Sequence, residues 1–230
     1  MLFVTIFLTT SLLHAEQKLN WQETLNQLQK KPESTSGYFY NLGTVYYRVG
    51  QVGRAVAFLE KANHVHPHDS DIQYNLSVAQ AALSKTIGPE NLDPSSSWAE
   101  KIADRTTLDE VRATLGLLAV IVVLLWTRAY LATRKVRTAI LQPAGILSLI
   151  GFILTTAIYG TQRWASGFPA AVCLDPLVIR SGPGESYLPL SRVESGVKLR
   201  ILEASEGAWQ QVRYSQDGIG WVKASELLVI

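Results

Sequence analysis

The sequence predicts a multidomain membrane protein with an all-α helical repeat, two transmembrane helices and a small all-β barrel. Three observations predict this architecture. Residues 36–69 have the spacing of a helical hairpin repeat, two uncharged apolar runs lie near the middle, and the last sixty or so residues alternate apolar and polar positions between turns. The helical part precedes the apolar runs and the β part follows them.

The N-terminal segment MLFVTIFLTTSLLHAEQ is an apolar stretch that ends at Ala15, before a polar helix. Its length favours a signal peptide over residues 1–15 rather than a membrane span. An uncleaved anchor is the alternative, because no Lys or Arg precedes the apolar run and Leu13 is large for its position. Both interpretations place the chain from residue 16 onward outside the cytoplasm.

Two runs without any charged residue, 113–127 and 138–162, indicate membrane helices. A helix rises about 1.5 Å per residue and the hydrocarbon core is about 30 Å thick, so the second run is long enough to cross it. The first run becomes long enough when the arginines at its ends reach the interface. We predict transmembrane helices over 112–132 and 139–162, with buried helices of a soluble core as the alternative.

The connection between the two helices, residues 133–138, lies within the stretch WTRAYLATRKVRTAI, which has basic residues and no acidic one. Positive charge in short loops marks the cytoplasmic side. Both large domains are therefore predicted on the periplasmic or extracytoplasmic side of a bacterial inner membrane. The formal net charge of +2 comes from the flanks of the apolar runs, so no nucleic-acid-binding surface is predicted.

The segment SGYFYNLGTVYYRVGQVGRAVAFLEKANHVHPHD, residues 36–69, has the length of a tetratricopeptide repeat. Gly43 and Ala55 are small where two antiparallel helices must approach closely, and Leu42 and Leu59 fill the space around them. The segment resembles that repeat family at Phe39, Leu42, Gly43, Tyr46, Ala55, Leu59, Ala62 and Pro67.

Neighbouring helices extend the pattern on both sides. Residues 71–83 match the first helix of another repeat, and residues 18–30 match a second-type helix, so four helices are predicted within a repeat domain over 16–87. The pattern breaks at Gly88, where a Pro- and Ser-rich linker and a juxtamembrane helix are predicted over 88–111.

The tripeptide YNL occurs at 40–42 and again at 74–76, one repeat period apart. In the tetratricopeptide family this Asn faces a concave groove and holds an extended peptide. The alternative is that these side chains only satisfy the helix surfaces. The resemblance implies a peptide-binding groove formed by Tyr40, Asn41, Thr44, Tyr47, Arg48, Tyr74, Asn75 and Val78.

The C-terminal segment consists of short alternating stretches separated by turn residues, which predicts strands. VIRSGPGESY, from Val178 to Tyr187, resembles the N-V-R-S-G-P-G-x-x-Y opening of bacterial SH3-like domains. The resemblance implies a small, partly open β-barrel over 169–230. The candidates for its ligand surface are Tyr187, Trp209 and Trp221. For the two tryptophans a place in the core is the favoured interpretation, and Tyr187 is the better exposed candidate.

No catalytic set, cofactor motif or metal site is predicted, so the sequence is interpreted as non-enzymatic. The stretch HVHPHD, residues 64–69, falls across a predicted helix end and a Pro-containing turn. This arrangement separates the three imidazole rings and disfavours one metal ion bound by all of them. Cys173 is the single cysteine. It is interpreted as a buried small side chain, with pairing between two chains as the alternative.

The order of these parts resembles the BatE branch of the Bacteroides aerotolerance (Bat) family. The resemblance implies a role in aerotolerance or envelope stress beside membrane von Willebrand A-domain proteins and a MoxR-type ATPase. We therefore predict a non-enzymatic scaffold or adaptor, anchored in the lipid bilayer, that binds proteins through the repeat groove. The alternative function is a peptidoglycan-binding envelope sensor or tether that acts through the SH3-like domain.

Overall fold

The structure, a computed structural model, describes residues 19–96, 107–133, 143–165 and 168–230. The chain divides into two compact units. The first combines the residues up to Ser96 with Pro169–Ile230, and the second is Ser97–Phe168. The predicted signal peptide and residues 134–138 of the predicted cytoplasmic loop lie outside the described residues, and these two predictions remain predictions.

Among the described residues of the first unit, four α-helices precede the second unit in the chain, and we call them the helical layer. They are α1 (19–30), α2 (Ser36–Arg48), α3 (Val52–Val65) and α4 (Ser70–Ile87). Consecutive helices from α2 to α4 contact one another. The structure therefore contains the four helices predicted from the apolar spacing.

The core of the helical layer explains why small residues occur at fixed positions. Leu42, Ala55 and Leu59 are buried. A Cβ atom on Gly43 would lie 2.6 Å from the Leu59 Cγ, so α2 and α3 approach too closely for any larger residue at that position. This contact confirms the close approach that the sequence predicts there.

The stretch HVHPHD has a structural role at the junction of two helices. α3 ends at Val65, and His66 caps it with a backbone N–H that donates to the Ala62 carbonyl. Asp69 then caps α4, because its Oδ1 accepts from the backbone N–H groups of Asp71 and Ile72 at 2.9 and 3.2 Å. Among the described residues no group of three His, Cys, Asp or Glu side chains could hold a metal ion.

Seven antiparallel strands form the rest of the first unit, and we call them the β-domain. Their order in the sheet is β3-β2-β6-β5-β4-β1-β7. Ile179, Leu199, Val212 and Val222 are fully buried in its core. The strands are β1 (Ala170–Cys173), β2 (Leu177–Arg180), β3 (Pro189–Val193), β4 (Lys198–Glu206), β5 (Trp209–Arg213), β6 (Ile219–Lys223) and β7 (Leu227–Val229).

The helical layer and the β-domain share one compact unit and contact each other directly. α3 contacts β1 and β7. Ile87, at the end of α4, packs against the buried cores of both parts. No pattern in the sequence indicates this contact, which joins segments separated by the whole second unit.

The second unit contains α5 (Leu108–Thr133) and α6 (Pro143–Ala165), which pack against each other. Within the described residues one helix, over Asp109–Ala132, is long and apolar enough to cross a membrane, judged by length and composition alone. The apolar stretch of α6 is shorter, Ile146–Thr161. The second predicted membrane crossing therefore remains a prediction.

The start of α5 differs from the predicted boundary at residue 112. The backbone N–H of Thr107 donates to the Glu110 Oε2 at 2.9 Å, and the backbone N–H of Glu110 donates to the Thr107 Oγ1 at 3.2 Å. This reciprocal pair is a capping box, which fixes the beginning of a helix at the next residue. α5 therefore begins at Leu108, before the uncharged run.

Candidate functional site

One outer face of the β-domain combines aromatic and charged side chains. In the register of β5 and β6, Trp209 pairs with Lys223 and Gln211 pairs with Trp221, while Arg180 of β2 also pairs with Trp221. Directly paired residues point to the same side of a sheet. We define the aromatic face as Arg180, Trp209, Gln211, Trp221 and Lys223.

The strand period places the two tryptophans opposite the core. Val212 and Val222 are each adjacent in sequence to a residue of the aromatic face, and both are fully buried. Because neighbouring residues of a strand point to opposite faces, Trp209 and Trp221 lie on the outer side, and both are only partly buried. Their place on this side fits a ligand surface better than the core alternative.

Charged groups of both signs border the Trp209 ring. The Lys223 Nζ lies 5.9 Å from the centroid of that ring, within the range of a cation–π interaction. The same ammonium group donates to the Glu185 Oε1 at 2.5 Å. This hydrogen bond and the charge of Lys223 hold the pKa of Glu185 below its usual value, and Glu185 raises the pKa of Lys223. The ion pair therefore persists at neutral pH.

Tyr187 belongs to the same surface through the loop between β2 and β3. Its ring packs over Gly182 and Gly184, where added Cβ atoms would meet the ring carbons. The Arg180 Nη1 donates to the Tyr187 carbonyl at 3.0 Å, which ties the loop to the aromatic face. Tyr187 itself is exposed. The glycines of the SGPGESY motif thus make room for an exposed aromatic side chain.

The structure brings the three predicted residues of the SH3-like ligand surface to one region. Arg180 donates a hydrogen bond to the Tyr187 carbonyl and pairs with Trp221 across β2 and β6. Lys223 donates to Glu185, in the same loop as Tyr187, and lies beside the Trp209 ring. The charged residues Arg180, Glu185 and Lys223 were not among the predicted site residues. The period of two along β6 would have indicated Lys223, which follows Trp221 by two positions.

The helical layer carries the other set of predicted residues. The Asn75 Nδ2 donates to the Tyr40 hydroxyl at 2.7 Å, which joins α4 to α2 through the two YNL tripeptides. The Thr44 Oγ1 donates to the Tyr40 carbonyl at 2.9 Å. Tyr74 and Asn41 are exposed. One Asn of the predicted groove is therefore engaged within the protein, and the other points to the surface.

The remaining predicted groove residues are distributed differently. Tyr47 and Val78 are partly buried, and Arg48 is exposed. The Arg48 guanidinium carbon lies 5.9 Å from the centroid of the Trp21 ring in α1. The structure therefore joins Tyr40 and Asn75 directly and places Arg48 beside α1. Whether these residues bind a peptide stays a prediction.

Cys173 is fully buried in the core of the β-domain. Burial raises the pKa of its thiol to about 12. A thiol that is inaccessible and protonated cannot attack another sulfur, since the thiolate is the reactive form. The structure therefore agrees with the buried interpretation and disagrees with pairing between chains.

Residues 175–228 match the family model described as Bacterial SH3 domain. No curated protein and no solved structure matches the chain. The match begins just before β2 and ends within β7, so it includes every residue of the aromatic face and of the Tyr187 loop. The β-domain of this chain is therefore similar to bacterial SH3 domains over nearly its whole length.

Proposed function

We propose that this protein is a non-enzymatic envelope protein that is anchored in the membrane and binds peptidoglycan through the aromatic face. Bacterial SH3 domains commonly bind peptidoglycan. The observation that carries the proposal is the strand register, which places Trp209 and Trp221 together on the outer side of a domain of this type.

The chemistry of the aromatic face fits a polymer of sugars and short peptides. Sugar rings have apolar faces that pack against tryptophan rings, and an indole combines a large apolar surface with a polar N–H group. Arg180 and Lys223 are cationic and Glu185 is anionic, so charges of both signs lie at this surface, as they do on the carboxylates and amines of the peptide stems.

The membrane anchor is the part of the proposal that concerns α5 and α6. The helical layer and the β-domain form one compact unit, although the second unit interrupts them in sequence. A folded unit lies on one side of a membrane, so a chain that crosses once at α5 must cross again before Pro169. This requirement supports a second crossing at α6, which leaves both parts of the first unit on the same side of the inner membrane. We propose that this side is the extracytoplasmic one.

A second candidate function is the binding of a partner protein by the helical layer. We propose that this layer is a tetratricopeptide repeat domain and that a Bat-type membrane protein with a von Willebrand A domain binds across α2 and α4. The hydrogen bond between Asn75 and Tyr40 favours this candidate, because it joins α2 to α4 through two residues of the predicted groove, and Tyr74, the residue before Asn75, is exposed. Exposed aromatic side chains frequently anchor protein interfaces.

Two double variants separate the two candidate functions, because the variant that tests one binding site serves as the control for the other. The full chain in lipid nanodiscs is incubated with purified peptidoglycan sacculi and sedimented. Trp209→Ala combined with Trp221→Ala should weaken binding about thirtyfold, because two aromatic contacts of roughly 1 kcal/mol each sum to about 2 kcal/mol. Asn41→Ala combined with Tyr74→Ala, which changes two exposed residues of the helical layer, should leave sedimentation unchanged.

The same two double variants are then purified from their own membranes in mild detergent, and the associated proteins are identified by mass spectrometry. Loss of a von Willebrand A-domain protein only with the helical-layer variant would support the groove. The peptidoglycan proposal is wrong if wild-type protein remains in the supernatant, or if the tryptophan variant sediments like wild type while retaining the same unfolding temperature.

A further inference from the structure

The contact between the helical layer and the β-domain contains a nearly buried ion pair. The Lys198 Nζ of β4 lies 3.2 Å from the Glu60 Oε2 of α3, and the two side chains are only 14% and 13% exposed. The second oxygen of Glu60 accepts from the Gln80 Nε2 of α4 at 2.8 Å. Each carboxylate oxygen thus has a partner, which a buried charge requires.

Two glycines allow the backbones of the two parts to touch beside this ion pair. A Cβ on Gly53 of α3 would collide with Ser195 in the turn before β4. A Cβ on Gly196 would lie 2.5 Å from the Leu83 Cδ2 of α4 and 2.8 Å from the Gly53 Cα. Gly196 also has a φ of +86°, which favours glycine. Neither glycine can therefore be enlarged without separating the surfaces.

Polar contacts surround this apolar and glycine-lined centre. The Arg54 Nη2 donates to both carboxylate oxygens of Asp175, at 2.7 and 2.8 Å. The Lys61 Nζ donates to the Val229 carbonyl at 2.7 Å. α3 thus contacts three separate segments of the β-domain, through Gly53, Arg54, Glu60 and Lys61.

Strand β4 also holds the two ends of the interrupted chain. The Lys198 backbone N–H donates to the Leu92 carbonyl at 2.9 Å, shortly before the first unit ends at Ser96. The same strand pairs with β1, where Val172 faces Lys198, directly after the chain returns. The segments that leave and re-enter the first unit are therefore attached to one strand.

We infer that the β-domain is the C-terminal cap of the helical layer, and that both parts fold as one cooperative domain into which α5 and α6 are inserted. The helical pattern breaks at Gly88, and among the described residues of the first unit no α-helix follows α4 to cover the end of the layer. Helical stacks need a capping element at such an end. Leu83, Ile87 and Glu60 contact the β-domain at this place.

This inference does not depend on the proposed function, because the cap and the aromatic face use different strands. The helical layer contacts β1, β7 and the start of β4, whereas the aromatic face lies on β2, β5 and β6. Its consequence is that the bacterial SH3 domain of this chain is not an independent module. Its stability depends on residues that lie before the membrane segment.

The test uses the full chain in detergent, with amide hydrogen exchange measured separately in α3 and in β6. Glu60→Lys and Lys198→Glu each place two like charges together, so each should accelerate exchange at least tenfold in both elements. The combined reversal, Glu60→Lys with Lys198→Glu, restores opposite charges and should return most of the protection. Arg192→Glu is the matched control, since Arg192 pairs with Glu194 on the exposed side of the β-domain.

If a single reversal prevents folding altogether, Glu60→Gln is the milder variant, because it removes the charge and keeps the shape. The inference is supported when α3 and β6 lose protection by the same factor in each variant. It is overturned when Glu60→Gln or Glu60→Lys accelerates exchange in the helical layer alone, or when the combined reversal leaves β6 as poorly protected as the single ones.

Discussion

The two units of this protein differ in how exposed their large apolar side chains are. In the first unit large apolar side chains form two buried cores, and Leu59 is only 1% exposed. In the second unit Leu117, Leu147 and Leu154 are among many leucine, isoleucine and valine side chains that lie on the outside of the helices, and Leu147 is 69% exposed. Both units are helical in large part, so secondary structure does not explain the difference.

The difference shows which solvent each unit fits. Water drives apolar side chains into a core, whereas the hydrocarbon of a membrane is as apolar as leucine and does not. α5 and α6 also satisfy their backbone groups within each helix, which a membrane requires. The exposed apolar side chains of the second unit are therefore compatible with the proposed anchor in lipid.

The largest expected effect on stability comes from opening a cavity in the first unit. Leu59→Ala should lower the free energy of unfolding by roughly 2–5 kcal/mol, because the space left by a buried leucine is filled only in part. Unfolding of the full chain by denaturant in detergent measures this value. Leu147→Ala, the same change in the second unit, should alter it by less than about 0.5 kcal/mol. If the two substitutions lowered the free energy of unfolding equally, the proposed difference in burial between the two units would be wrong.

The converse change places a charge where lipid is expected. Leu124 in α5 is 63% exposed, and Leu188 in the loop before β3 is 74% exposed. Leu124→Arg should disfavour membrane insertion by about 3 kcal/mol, whereas Leu188→Arg should have almost no effect, because its side chain meets water. Extraction of membranes with alkaline carbonate measures the embedded fraction. If both variants remain embedded like wild type, α5 does not cross the membrane.

The sequence predicts an element correctly where the pattern that defines it lies within that element or its neighbour. The spacing of Leu42, Gly43 and Leu59 predicts a helical pair, and the SGPGESY turn predicts the start of the bacterial SH3 match. Apolar runs likewise indicate α5. Each of these signals lies within one or two elements, so the side chains that define it are neighbours in sequence.

The contacts that join distant segments could not be predicted in this way. Glu60 and Lys198 are both charged residues within ordinary amphipathic stretches, and no pattern in either segment indicates its partner. The side of the sheet to which Trp209 and Trp221 point is also sensitive to strand register, since a shift by one residue exchanges the two faces. Only the three-dimensional arrangement decides between core and surface for them.

The smallest expected effect, measured per unit of pH, tests whether water reaches the Cys173 thiol in the core of the first unit. Burial raises the pKa of Cys173 from 9.0 to about 12. The unfolded chain therefore loses the thiol proton near pH 9, whereas the folded chain keeps it until about pH 12. Its contribution to stability is fully present below pH 9 and is lost as the pH rises through this window, by on the order of 1 kcal/mol per pH unit.

Cys173→Ala removes the titrating group, so its unfolding free energy should fall less steeply than that of wild type between pH 9 and 11. The comparison of the two slopes removes the titration of tyrosines and lysines, which both proteins share. Denaturant unfolding of the full chain at several pH values provides the slopes. Identical slopes would mean that water reaches the thiol in the folded state. The β1 strand would then separate readily from β4 and β7, and the cap on the helical layer would be open for part of the time.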